Sequence, residues 1–116
     1  GEYTAEWKPL NVQPYLTPWR FECTGKISGN GTYTVSFIYT KGETPFRLGT
    51  LKLYKRDELL AEVPQSVLIN ADSPVATYRF TVDSFEAGTP FFIEVEACGE
   101  NGNDTSGLVF TNKVTQ

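Results

Sequence analysis

The eight residues from Thr32 to Tyr39 alternate so strictly that few conformations accommodate them. Tyr33, Val35, Phe37 and Tyr39 fall on one side, and Thr32, Thr34, Ser36 and Ile38 on the other. A period of two puts successive side chains on opposite faces of a β-strand, so this segment predicts a strand with one aromatic-rich, buried face. The turn formers Ser28-Gly29-Asn30-Gly31 precede it. Trp19, Phe21 and Cys23 alternate with Arg20, Glu22 and Thr24 in the same manner, which predicts a hairpin between the two segments across the Gly-rich turn, with Trp19 in the core.

The rest of the chain repeats this grammar. Phe46 and Leu48 share a parity that Leu51 and Leu53 do not, and Gly49 between the pairs predicts a β-bulge. Leu51 to Tyr54 turns at Lys55-Arg56-Asp57-Glu58 into Leu59 to Val63, a second hairpin with a charged tip. Pro64 to Pro74 reads as irregular. Tyr78, Phe80 and Val82 form one face of a strand, Glu86 to Pro90 a turn, Ile93, Val95 and Ala97 the face of another, and Leu108 to Val114 the last strand. Seven or eight strands at eight- to twelve-residue spacing, with Gly or Pro in nearly every connection, predict a single all-β domain over residues 1–116: an antiparallel β-sandwich.

Composition narrows the function. The net charge is −4, with Lys and Arg scattered rather than clustered, so no row of phosphates is neutralised and neither nucleic acid nor an anionic membrane is an expected partner. No run approaches the length of a membrane span. With no His and only two Cys, the zinc spacings and the Ser-His or Cys-His arrangements are out of reach. Glu94 and Glu96, two apart on one strand face, are the remaining pair of carboxylates, and a solvent-facing strand gives the same alternation. The expectation is therefore a domain without catalysis.

Asn101, Asn103 and Asp104 lie in a Gly-flanked loop and offer oxygens that a hard cation such as calcium accepts, although the same residues are ordinary turn formers. No cofactor is expected, with calcium the one cation this loop leaves open. Alternation sets Cys23 with Trp19 and Phe21 and Cys98 with Glu94 and Glu96, which argues against a bridge; one bulge in either strand would reverse that parity. Trp7 and Tyr15, in the Pro-rich N-terminal segment, and Tyr54, on the Lys52 side of its hairpin, are aromatics without an obvious place in the core. Trp7 also suits a cover over one open end of the sandwich. The abundance of Thr, Tyr, Phe, Asn and Gly suits an exported β-protein, whether secreted, periplasmic or at the cell surface, and the leading Gly1 suits a trimmed piece.

The order of motifs is also that of a known family. Gly31-Thr32-Tyr33-Thr34-Val35-Ser36-Phe37-Ile38-Tyr39-Thr40, the hairpin Leu51-Lys52-Leu53 to Leu59-Leu60-Ala61-Glu62, Tyr78-Arg79-Phe80 followed by Phe85-Glu86-Ala87-Gly88, and the loop Asn101 to Gly107 resemble the galactose-binding-like jelly-roll accessory domain of bacterial secreted glycoside hydrolases, β-N-acetylhexosaminidases among them. The resemblance spans about Trp7 to Val109. Where that family carries an acidic, His- and Gly-containing stretch after the hairpin, this chain has Val63 to Asn70, without His. The resemblance implies a jelly-roll sandwich, with an immunoglobulin-like one as the alternative. It also implies a noncatalytic domain of an exported glycan-processing protein that binds carbohydrate or braces an adjacent catalytic domain. The candidate ligand-binding residues are Trp7, Tyr15, Asn103 and Asp104. The rival from another class is a cell-surface protein-interaction or adhesion module.

Overall fold

The computed structural model describes residues 16–40, 44–99 and 111–116. Among them are eight strands: β1 (Thr17–Glu22), β2 (Gly31–Ile38), β3 (Phe46–Lys55), β4 (Glu58–Val63), β5 (Val67–Ile69), β6 (Val75–Val82), β7 (Phe91–Gly99) and β8 (Thr111–Thr115). They form a five-stranded sheet ordered β1-β7-β3-β4, with β5 also paired to β3, and a three-stranded sheet ordered β6-β2-β8. Every pairing is antiparallel. The pairs are nested: β1 with β7, β2 with β6, β3 with β5, and β4 at the closed tip. A long hairpin folded over on itself, with the first strand beside β7 and the last beside β2, is the jelly-roll arrangement, whereas an immunoglobulin-like sandwich sets its last strand beside the one before it.

The two inner faces supply the core. Tyr33, Val35 and Phe37 of β2 and Tyr78 of β6 are fully buried, and Leu51 and Leu53 of β3 and Ile93 and Val95 of β7 meet them from the other sheet. Phe37 links the layers: its ring is edge-on to Tyr78 at 5.7 Å in its own sheet and to Phe21 of β1 at 6.3 Å in the other. Tyr33 stacks on Phe80 at 6.0 Å. Its hydroxyl donates to the Gly29 carbonyl at 2.7 Å and accepts the Ser28 and Gly29 N–H groups at 3.2 Å each, fixing the turn that leads into β2.

The predicted hairpin between the first two strands does not form. β1 pairs with β7 and β2 with β6 and β8, so the apolar faces of β1 and β2 look at each other across the sandwich. The intervening chain is too long for a tight turn: a 3₁₀ turn at Thr24–Lys26 and the buried Ile27 carry it from one sheet to the other. Parity was read correctly, but like parity in consecutive strands describes facing strands as well as paired ones. Within the stretch read as irregular, Val67–Ile69 pairs with Phe46 to Leu48 as β5. The charged-tip hairpin is present as β3–β4.

The bulge at Gly49 is present too, as a register shift between Leu48 and Leu51 on β7. It is pinned from both sides of the sheet. On the inner side the Tyr78 hydroxyl donates to the Gly49 carbonyl at 2.7 Å, and on the outer side Glu96 Oε1 accepts the Thr50 N–H at 3.1 Å. Tyr78→Phe leaves that carbonyl buried and unpaired and is expected to cost about 1–3 kcal/mol, measured by chemical denaturation; a change under about 0.5 kcal/mol would show that the bulge needs no such anchor.

Cys23 and Cys98 are both buried and both free. Cys23 belongs to the core cluster and Cys98 does not, as their parity requires, and distance separates them further. Cys23 donates its backbone N–H to the Phe91 carbonyl at the start of β7, whereas Cys98 lies seven residues further along that strand. At about 3.3 Å per residue the two are roughly 23 Å apart, far beyond the reach of a disulfide.

Candidate ligand-binding face

Trp7, Tyr15, Asn101, Asn103 and Asp104 lie outside the described residues. Tyr54, the other aromatic without an obvious place in the core, stands on the outer face of the five-stranded sheet, as its parity with Lys52 requires. That face is where polar and aromatic side chains converge.

Register builds it rung by rung. Tyr54 of β3 is opposite Phe92 of β7, and beyond them on the same rung stand Leu59 of β4 and Glu22 of β1. On the next rung Glu62, Lys52, Glu94 and Arg20 follow one another across β4, β3, β7 and β1, alternating in sign. Arg20 leans back over the first rung. Its guanidinium carbon is 4.8 Å from the centroid of the Tyr54 ring and 4.5 Å from that of Phe92. One end of the guanidinium meets Glu94 Oε1 at 3.5 Å, and the other donates to the Arg56 carbonyl at 3.5 Å. Cation–π attraction to two rings, one ion pair and one long hydrogen bond hold a long, otherwise mobile side chain in one pose. Its side chain is still 41% exposed and that of Glu94 25%.

The hairpin tip contributes through an unusual backbone. Arg56 has φ = 56°, the left-handed region that costs a residue with a Cβ. It is held there by its N–H, which donates to the Pro90 carbonyl at 2.9 Å, and in that conformation its own carbonyl reaches Arg20. Lys55 anchors the same end, donating to the Ser84 carbonyl at 3.2 Å and lying 3.7 Å from Glu86. Asn30, in the first of two Asn-x-Thr sequons, accepts the Phe85 N–H at 2.8 Å through its side-chain oxygen.

The carboxylates singled out by spacing have separate partners. Glu94 pairs with Arg20, and Glu96 braces the bulge through Thr50 while lying against Gly49 beside Leu16. Among the described residues there is no group of three His, Cys, Asp or Glu side chains able to hold a metal. What this face offers chemically is a fixed set of N–H donors and carboxylate acceptors at the rim of an apolar strip. Phe92, Arg20 and Leu59 escaped the sequence reading because each matters only through register. Leu59 in particular faces outward, 46% exposed, because the pairing slips between Leu53 and Tyr54. Adjacent Phe91 and Phe92 were the available signal: in a strand, two neighbouring aromatics cannot both be core.

No protein-family model matches the chain, and no curated protein matches it.

Proposed function

We propose that this sandwich is a noncatalytic accessory domain of an exported glycan-processing protein, and that it binds carbohydrate on the outer face of its five-stranded sheet. The observation that carries this is Arg20, pressed onto Tyr54 and Phe92 and paired with Glu94 while remaining exposed. Sugar sites need amide, guanidinium or carboxylate groups fixed in place before the ligand arrives, because immobilising a long side chain on binding costs about 0.5–1.5 kcal/mol. Here the rings have already immobilised it. The exposed Leu59 beside Tyr54 adds apolar surface for the C–H side of a sugar ring. The resemblance of the motifs to accessory domains of secreted glycoside hydrolases points the same way, and the separate engagements of Glu94 and Glu96 favour a domain without catalysis. The same face would serve to brace an adjacent catalytic domain; an immunoglobulin-like topology, which would have favoured an adhesion module, is not the one observed.

The test is retention on a panel of soluble and insoluble glycans, comparing wild type with Tyr54→Ala, Trp7→Ala and Tyr15→Ala. Saturable binding weakened at least about tenfold by Tyr54→Ala is the expected result. Loss in Trp7→Ala or Tyr15→Ala alone would move the platform to the N-terminal segment, and no retention on any glycan by the folded domain would leave bracing as the better account.

A further inference from the structure

Charge on this face selects among sugars. We infer, on the carbohydrate-binding reading above, that the ligand is a neutral pyranoside presenting adjacent hydroxyls to Arg20 and Glu94, and that acidic sugars are excluded. A guanidinium has five N–H donors. Two of its contacts are spoken for, one to Glu94 and one to the Arg56 carbonyl, which leaves N–H groups at the exposed edge. Glu94 meets Arg20 through Oε1, and its Oε2 has no partner among the described residues. A salt-bridged pair of this kind offers a donor and an acceptor side by side, which is what two neighbouring hydroxyls require: one accepts from the guanidinium while the other donates to the carboxylate.

The same pair is poorly suited to a carboxylate or sulfate. Around the rings the register sets Glu22, Glu62 and Glu94 against Arg20 and Lys52, three acids to two bases. The cation that lies over the rings is already paired with Glu94, so an incoming carboxylate at the rings meets the field of Glu94 and Glu22, and Lys52, flanked by Glu62 and Glu94 on the next rung, is the one base of the two rungs outside an ion pair among the described residues. Rejection of this kind is a repulsive element built into the site. It predicts that binding of a neutral glycan is almost independent of ionic strength, since no net charge is neutralised.

The experiment is an amide chemical-shift titration of the whole domain with xylohexaose, mannohexaose and chitohexaose as neutral probes and hexagalacturonate as the acidic one. Each is run at roughly 0.1 and 1 M salt, between which the Debye length falls from about 10 to about 3 Å. The expected result is that at least one neutral probe shifts Arg20, Tyr54, Phe92 and Glu94, with a Kd that changes less than about twofold with salt, while hexagalacturonate shifts none of them. Arg20→Lys, which keeps the charge and loses the planar fork, is expected to weaken the neutral probe about tenfold. Glu94→Gln removes the repulsion and leaves Arg20 without its counter-charge, so it is expected to admit hexagalacturonate while weakening the neutral probe. Tighter binding of hexagalacturonate than of every neutral probe at these residues would overturn the charge selection and leave the carbohydrate reading standing. Neutral binding that shifts only other residues would overturn the site, and silence toward all four probes by a domain with a dispersed, folded spectrum would overturn the carbohydrate reading itself.

Discussion

Phe37→Ala is expected to lower the stability of the domain by about 3–5 kcal/mol, the cost of emptying a fully buried aromatic position. The size follows from where the ring sits. Phe37 is on the central strand of the three-stranded sheet, wholly inaccessible, edge-on to Tyr78 beside it and to Phe21 opposite. Its neighbours come from different sheets, so none can shift into the void without opening the gap between layers. A domain of this length has a total stability of about 5–15 kcal/mol, and the midpoint of thermal unfolding should fall by roughly 10–20 °C. Phe37→Leu, which refills most of the volume, should recover more than half of the loss. A midpoint within about 5 °C of wild type for the alanine variant would show that the layers close over the site, and that the ring does not set their spacing.

Alkaline pH is expected to unfold the domain through groups that no ligand needs. Burial, with a contribution from the Glu22 carboxylate, pushes the Cys23 thiol from 9.0 up to about 12. Burial also raises the Cys98 thiol, opposed by Arg47, and raises the Tyr78 phenol well above its ordinary value, with Glu96 adding to the rise. In the unfolded chain these groups release their protons at ordinary values, so the folded state holds more protons and loses ground as protons become scarce. The stabilisation is complete below about pH 9 and disappears as pH rises from 9 toward 12. For Cys23 alone three units correspond to on the order of 4 kcal/mol. Thermal midpoints measured at intervals from about pH 7 to 11 should be level at first and then drop steeply, and Cys23→Ala should flatten the drop by removing one of the linked protons. A flat profile to pH 11 in the wild type would contradict the linkage. Reagents for free thiols should label the native protein at neither position near pH 8 and at both after denaturation, because the two cysteines are buried and unbridged.

What the sequence reveals of this fold is whatever can be read from parity within one strand. The buried face of β2, the Gly49 bulge and the β3–β4 hairpin are local, and each was legible because a period of two is set by a few neighbouring residues. Pairing between distant strands leaves no such trace. Trp19-Phe21-Cys23 and Tyr33-Val35-Phe37 look alike whether the strands lie side by side or face to face, and only the length of the Thr24–Asn30 connection hinted at the second. The candidate face was legible one residue at a time. Tyr54 and Glu94 were singled out as outward-facing, but the cluster needs β1, β3 and β7 in one register, which brings Arg20 to residues 34 and 72 positions away in the chain. That distance is invisible to any reading of neighbours.

The nested pairing of strands also sets an order of events for the chain as it leaves the ribosome. β3 and β4 can join first, since two residues separate them, and β5 follows onto the start of β3. β2 must wait for β6, and β1 for β7, with its aromatic face uncovered in the meantime. Each closure shortens the loop that the next one must close, because the strands inside it are already tied together, and so the entropic cost of the long-range pairs falls as the zipper runs outward from the β3–β4 tip. A ribosome that stalls before Phe91 therefore holds a sandwich in which β1 has no partner and the edge of β3 that β7 covers stays open, and it is during that interval, not after folding, that the chain is most exposed to aggregation.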